Sequence, residues 1–183
     1  MQRIVILGNA GSGKSTLARA IGKRLNLPVV HLDTLFWEPG WVEPEAEQFR
    51  SRVSEAINAD AWVCEGNYAR RTFDLRLPRA DLVIWLDMPR LTCFTRVLKR
   101  HVMNRTRPDM AAGCANKLDR EFLSFVWNFD RGYRPGIEAA RLAIGPQVPT
   151  VHLRRTRQVA AFVESLPVRP EAGFQASQCA VET

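Results

Sequence analysis

Apolar and polar positions alternate along this chain in blocks whose period switches between strand and helix. Arg3-Ile4-Val5-Ile6-Leu7 is a short, β-branched apolar run, the pattern of a buried strand. From Ser15 to Leu25 the apolar residues Leu17, Ile21 and Leu25 recur every four positions, one face of a helix. Asn26 to Pro28 breaks that helix, and Val29-Val30-His31-Leu32 reads as a second buried strand ending at Asp33. Pro44, with Glu45 and Glu47 behind it, opens a helix whose stripe is Phe49, Val53, Ala56 and Ile57. Trp62-Val63-Cys64 predicts a third strand ending at Glu65-Gly66, and Leu82 to Leu86 a fourth ending at Asp87. Pro89 opens a helix carrying Leu91, Phe94 and Leu98.

Arg105 to Lys117 shows neither period, holds Pro108 and Gly113, and reads as a mobile loop. Helical spacing resumes at Leu118, Phe122, Phe125 and Phe129, and more weakly from Ile137 to Ile144. Val148 to Leu153 predicts a fifth strand, and Thr156 caps a last helix with Val159, Phe162, Val163 and Leu166. Strands alternating with helices predict a parallel sheet covered on both faces, with ligands beyond the C-terminal strand ends. The chain then divides into one domain over residues 1–167 and a patternless tail, 168–183, expected to be loosely ordered.

The junction between the first strand and the first helix carries the chemistry. Gly8-Asn9-Ala10-Gly11-Ser12-Gly13-Lys14-Ser15 fits G-x-x-x-x-G-K-[ST] at every position and leads into Thr16. Glycines let the backbone aim its N–H groups inward, and the helix N-terminus adds its dipole, so the loop cradles phosphates. Lys14 reaches the β/γ-phosphates and the Ser15 hydroxyl ligates Mg²⁺. ATP and Mg²⁺ are therefore the expected ligands of Gly8 to Thr16.

Asp33 and Glu65, at the ends of neighbouring strands, are candidate carboxylates for the metal's oxygen shell, together with Ser15. Asp33 is also placed to accept a proton from an attacking hydroxyl. Asp87, ahead of Met88-Pro89, reads as structural. Arg96 and Arg100 lie four apart on one helix, a like-charge pair costing about 0.2–0.5 kcal/mol unless an anion lies between them. With Arg105 and Arg107 at the mouth of the loop they form a candidate clamp on the transferring phosphoryl group, where one arginine can be worth about 10³ in rate. Arg70, Arg71, Arg76 and Arg79 form a second cluster, which suits the anionic end of an acceptor or simply an exposed basic helix.

Net charge narrows the picture little. It is +7, and every basic residue except Lys14, Lys23, Lys99 and Lys117 is an arginine, which suits phosphate but also nucleic acid. No recognition-helix or zinc-finger signature supports the nucleic-acid alternative. Asn116-Lys117-Leu118-Asp119 matches the N-K-x-D guanine motif, but no strand precedes it, and Asp119 reads instead as an acid of the following helix. The four cysteines lack C-x-x-C spacing, no apolar run is long enough to span a bilayer, and no secretory pattern precedes the first strand; these features point to the cytoplasm. The histidines read as isolated, Trp85 and Trp127 as core, and Trp37 and Trp41 as lining for an acceptor pocket. Oligomeric state is not encoded in any of these patterns.

Several of these stretches together resemble a known group. Gly8 to Ser15, His31-Leu32-Asp33 with Trp37-Glu38-Pro39-Gly40-Trp41, Glu65-Gly66-Asn67-Tyr68, Asp81 to Asp87, Arg107-Pro108-Asp109-Met110, Gly113-Cys114 and Trp127-Asn128-Phe129 are similar to the adenylate-kinase-related proteins labelled "DNA topology modulation" proteins. The resemblance covers residues 1–166. It implies an α/β P-loop NTPase of the nucleoside-monophosphate-kinase type, with sheet order 2-3-1-4-5, helices on both faces and a short lid. It also implies transfer of the ATP γ-phosphoryl group to an acceptor held by residues about 34–60, under a lid at about 105–117. By position, Asp33, Trp37, Gly66, Asn67, Arg71 and Arg76 are the acceptor-side residues, and Arg96 and Arg100 meet the ATP base and phosphates. The tryptophan-rich acceptor segment departs from true adenylate kinases. The rival reading is a nucleotide-gated regulator of DNA or RNA.

Overall fold

The computed structural model describes residues 1–103, 109–114 and 118–169. Five strands form one parallel sheet: β1 (Arg3–Gly8), β2 (Val29–His31), β3 (Trp62–Glu65), β4 (Leu82–Leu86) and β5 (Thr150–Leu153). Their order is β2-β3-β1-β4-β5, so the strand that enters the phosphate loop lies at the centre. Register aligns the strand ends that matter: Ile6 and His31 both pair with Glu65, and Gly8 pairs with Leu86.

Eight α-helices and a short 3-10 turn at Leu77–Arg79 complete the described chain: α1 (Lys14–Leu25), α2 (Leu32–Phe36), α3 (Ala46–Ala56), α4 (Ala69–Arg76), α5 (Arg90–Val102), α6 (Arg120–Gly132), α7 (Arg134–Ile144) and α8 (Thr156–Ser165). Strand alternation sorts the core into two layers. Ile4 and Ile6 of β1 turn to a layer with Leu17 and Ile21 of α1, Val97 of α5 and Val126 of α6. Val5 and Leu7 turn to the opposite layer, with Phe49 and Val53 of α3 and Phe73 of α4. Each fully buried Ile or Leu contributes about 1.5–3 kcal/mol. The central strand, apolar on both faces, is therefore the most expensive element to displace, and it holds the phosphate loop.

Several elements differ from the sequence pattern. Strand β2 stops at His31, and Leu32–Phe36 turns into a helix that puts Asp33 in its first turn. The arginine-rich stretch after Tyr68 is helix α4, folded against α7. Strand β5 begins at Thr150. Thr156 is the first helical residue of α8, with Arg155 at the cap position, where the Gln158 side chain accepts from the Arg155 N–H at 3.0 Å. Trp85 is core, but Trp127 is 39% exposed, packed on Phe94 with the Arg90 guanidinium 4.6 Å above its ring. On α5 the buried positions are Cys93 and Val97, which leaves Leu91 61% exposed. Asp119 is the N-cap of α6 and accepts from the Phe122 N–H at 2.7 Å. Arg105, Arg107, Asn116, Lys117 and residues 170–183 lie outside the described residues.

Candidate active site

A cavity of about 1360 Å³ opens at the C-terminal edge of the sheet. Its floor is the phosphate loop, and Ala10, Gly11 and Gly13 through Thr16 line it. Gly11 has φ +78°, and a Cβ there would sit 2.3 Å from the Cys93 carbonyl oxygen, so only glycine closes this loop against α5. The first turn of α1 has neither a side-chain cap nor an acidic residue. Its N–H groups lack intrahelical acceptors and face the cavity side, a donor set that fits phosphate oxygens. Lys14 Nζ rests on the Asn9 carbonyl at 3.1 Å, folded over the loop.

Behind the loop sits a carboxylate held by three elements. Glu65 is 3% exposed, and its Oε1 accepts from Ser15 Oγ at 2.9 Å and from His31 Nδ1 at 2.9 Å. Burial alone would raise its pKa, but the bond from His31, the Lys14 charge and the Ser15 hydroxyl outweigh it and hold Glu65 below the usual value. His31 is thus not isolated: parallel register pairs it with Glu65. Among the described residues no group of three or more His, Cys, Asp or Glu could hold a metal by itself. Ser15, Glu65 and Asp33 are hard oxygen donors, the type Mg²⁺ takes alongside nucleotide phosphates and water, and the donor set fits that ion.

Asp33 lines the same cavity, and its Oδ1 accepts from the Tyr68 hydroxyl at 2.8 Å. Burial, and then the Asp33 charge, push the Tyr68 phenol well above its ordinary pKa, so it remains a donor at all working pH values. That hydrogen bond fixes the orientation of the Asp33 carboxylate. Tyr68 follows Gly66-Asn67, the turn after β3. Gly66 has φ +131°, and a Cβ would lie 2.9 Å from Leu32 Cβ, so the chain passes α2 here only as glycine. Asn67 clamps the turn to the phosphate loop: Gly8 N–H donates to its Oδ1 at 3.1 Å, and its Nδ2 donates to the Gly8 carbonyl at 3.0 Å.

Aromatic rings form the acceptor-side wall. Phe36 meets Trp37, Phe49 and Tyr68 at 4.7–4.9 Å between centroids, and Trp37 meets Trp41 edge-on at 5.2 Å. Phe125, Phe129 and Tyr133 of α6 and its C-cap also line the cavity. Trp41 ends a turn with Pro39 and Gly40 at its centre, closed by the Trp41 N–H on the Glu38 carbonyl at 3.1 Å. Residues 109–114 pack onto that turn: Gly40 N–H donates to the Gly113 carbonyl at 3.2 Å and Cys114 Sγ to the Glu38 carbonyl at 3.2 Å. Asp109 is 4% exposed and 3.5 Å from Arg19. The described part of the stretch read as a mobile loop makes polar bonds to the Glu38–Trp41 turn, which apolar periodicity does not reveal.

The arginines separate. Arg96 and Arg100 line the cavity, and Arg96 spans from the Ser12 carbonyl, at 3.2 Å, to Thr156 Oγ1, at 2.9 Å, beside the phosphate loop. Arg71 lines it too, but pairs with Glu43 at 2.9 Å over the Phe36 ring. Arg76, expected to contact the acceptor, does not line the cavity. It is 0% exposed and lies behind the turn, donating to the carbonyls of Gly66 (3.0 Å) and Asn67 (2.7 Å). Arg79 caps the end of α3 through the carbonyls of Ile57, Asn58 and Ala59. Asp87 is held by Arg134 and Arg154 outside the cavity, the structural role its sequence position indicated. Tyr68, Glu43 and the α6 aromatics escape sequence reasoning; for Tyr68 the available signal is an aromatic two residues past a strand-end glycine.

A central strand, a G-x-x-x-x-G-K-S loop and a sheet of order 2-3-1-4-5 with an acceptor-side cavity define a P-loop kinase. The chain is 32% identical over 125 residues to a shikimate kinase of Corynebacterium efficiens, a match covering 60% of this chain and 69% of that protein. It belongs to the shikimate kinase family, and is a small-molecule P-loop kinase that uses ATP. Solved structures share the fold: a shikimate kinase from Bacteroides thetaiotaomicron (20% identity, 89% of this chain and 94% of that one, TM-score 0.51) and a gluconokinase from Sinorhizobium meliloti (17%, 89% and 87%, 0.52). A shikimate kinase from Acinetobacter baumannii in complex with shikimate matches similarly (17%, 90% and 89%, 0.52). No protein-family model matches the chain. Among the described residues no helix is long and apolar enough to cross a membrane.

Proposed function

We propose that this kinase transfers the γ-phosphoryl group of ATP to a hydroxyl of a small acceptor, with Asp33 as the base. The acceptor oxygen forms a bond to Pγ as the bond from Pγ to the β,γ-bridging oxygen breaks. The hydroxyl proton passes to the Asp33 carboxylate, and ADP leaves. The observation that carries this reading is that Asp33, oriented by the Tyr68 hydroxyl, and the phosphate loop open into one cavity. A phosphate acceptor has no proton that must be removed, so a positioned carboxylate favours an alcohol. Lys14, Arg96 and Arg100, with Arg105 and Arg107 from the lid segment at about 105–117, neutralise the transferring group. Ser15, Glu65 and Asp33 would hold Mg²⁺, which would neutralise charge on the β- and γ-phosphate oxygens. The segment 34–60 supplies the acceptor side, with Trp37, Gly66, Asn67 and Arg71. Within the kinases, the Glu65-Gly66-Asn67-Tyr68 and Trp37-to-Trp41 stretches support membership of the group labelled "DNA topology modulation" proteins.

Coupled measurement of ADP release against a panel of hydroxylated metabolites tests the reading. Lys14→Ala should remove nearly all turnover. Asp33→Asn should lower kcat by about 10²–10⁴ while the Kd for an ATP analogue stays near wild type. Wild-type kcat in Asp33→Asn would show that this carboxylate does not take the proton.

A further inference from the structure

We infer that Asn9 is a positioning residue. It fastens helix α6, and with it the aromatic wall of the acceptor side, to the phosphate loop, so that filling the loop with nucleotide stiffens that wall. The inference needs only that the loop binds ATP, so its failure would leave the assignment of base and acceptor untouched.

Asn9 is the second residue of the loop and is 4% exposed. Its Nδ2 donates to the Val126 carbonyl at 2.7 Å, a buried bond between residues 117 positions apart in the chain. Val126 lies in the interior of α6 and is 0% exposed. In an α-helix that carbonyl already accepts from the N–H four residues further on. The bond from Asn9 is therefore an addition to α6, not a condition of its folding. The direction of the amide is fixed as well. Turned over, it would set its own oxygen against the Val126 carbonyl oxygen.

Packing does not explain an asparagine here. Asn9 Oδ1 is buried and has no hydrogen-bond partner among the described residues, which costs free energy. An apolar side chain of similar size would avoid that cost. What the amide supplies in return is the donor to α6.

Through its main chain the same residue meets the nucleotide machinery. Its carbonyl accepts from Lys14 Nζ at 3.1 Å and from the Ser12 N–H at 3.2 Å. Phosphates that draw Lys14 onto their oxygens take the ammonium off this carbonyl, and the N–H groups that bind them hold the loop still. One end of Asn9 thus follows Lys14 and the loop, while the other holds Val126. Helix α6 carries Phe122, Phe125 and Phe129, all of which line the cavity. Ordering of the loop therefore reaches the acceptor wall. A ligand that orders one site lowers the ordering cost at a second, which is positive coupling without a change of shape.

Hydrogen exchange of the full chain, with and without a non-hydrolysable ATP analogue plus Mg²⁺, tests this. Calorimetry sets the analogue concentration that saturates each protein. In the wild type the amides of residues 120–132 should exchange about fivefold or more slowly with the analogue bound. Asn9→Leu keeps the bulk and loses the donor; Asn9→Ala loses both. In each, the nucleotide-dependent slowing of residues 120–132 should disappear, while that of residues 8–16 remains. A purely structural bond would leave the difference between the free and bound states unaltered. Equal slowing of α6 in both variants and the wild type would overturn the inference. So would a wild-type α6 that the analogue does not slow, a result that decides even where a variant does not fold. Loss of analogue binding in a folded Asn9→Leu would overturn it too, by making Asn9 part of the nucleotide site itself.

Discussion

Arg76 is a buried cation without a carboxylate partner, and removing it should reveal what holds the acceptor turn. Its guanidinium donates through Nε to Thr72 Oγ1 (3.1 Å), through Nη1 to the Gly66 carbonyl (3.0 Å) and through Nη2 to the Asn67 carbonyl (2.7 Å). Burial lowers its pKa, with Cys64 and Glu65 opposing that shift, and it keeps enough donors satisfied to remain charged. Hydrogen bonds from a charged donor are worth about 1.5–3 kcal/mol each, against a desolvation cost of several kcal/mol for the buried ion. Truncation to Ala removes the ion and its cost together, but leaves two buried carbonyls unpaired and a cavity behind. A loss of about 3 kcal/mol follows, or about 6–12 °C in Tm at 2–4 °C per kcal/mol for a chain of this size. Arg76→Met fills the space and removes the charge, yet cannot satisfy the carbonyls, so it should lose about 2–3 kcal/mol as well. Because Asn67 is tied to Gly8 on both sides of its amide, the loosened turn should also raise KM for ATP and acceptor. Thermal melts and urea titration of the Ala and Met variants, followed by steady-state kinetics, decide it. A Met variant as stable as wild type, with unchanged KM, would refute the idea that this guanidinium holds the turn.

Three further outcomes follow from individual contacts. Gly11→Ala should abolish ATP binding, measured by calorimetry, because its Cβ collides with the Cys93 carbonyl at 2.3 Å and forces the loop off α5. Glu65 has a depressed folded pKa, so its contribution to stability is full above about pH 4.5 and disappears as pH falls through the lower folded value; urea melts across pH 3–7 should show a smaller acid loss in Glu65→Gln. Asp119→Ala removes the cap on the Phe122 N–H and should cost about 0.5–2 kcal/mol of stability, read from Tm, with ATP affinity unchanged.

Local patterns carried much of this structure. The first strand, phosphate loop and first helix are contiguous, so spacing and propensity suffice to read them, and strand-end acids follow from the parallel sheet. Asp33 and Glu65 therefore fall in the cavity the alternation predicts. What resisted reading depends on contacts between distant residues. Arg71, Arg76 and Arg79 look alike in sequence, yet one meets Glu43, one is buried behind a turn and one caps α3. The pairing of His31 with Glu65 needs the β2–β3 register, and the αL backbone at Tyr68 needs the Gly66 passage beside Leu32. Trp127 reads as core from spacing but lies at the surface, because its helix has aromatics on two faces and one of them covers Phe94.

The most direct test of the central claim is where the γ-phosphorus ends up. Phosphorus NMR of reactions containing the protein, ATP, Mg²⁺ and a panel of small hydroxylated acceptors follows ADP, inorganic phosphate and any phosphomonoester together. A phosphomonoester of one acceptor formed in a one-to-one ratio with ADP, and reduced about 10²-fold or more in Asp33→Asn, is the predicted result. ADP accompanied only by inorganic phosphate, at the same rate in Asp33→Asn, would contradict it.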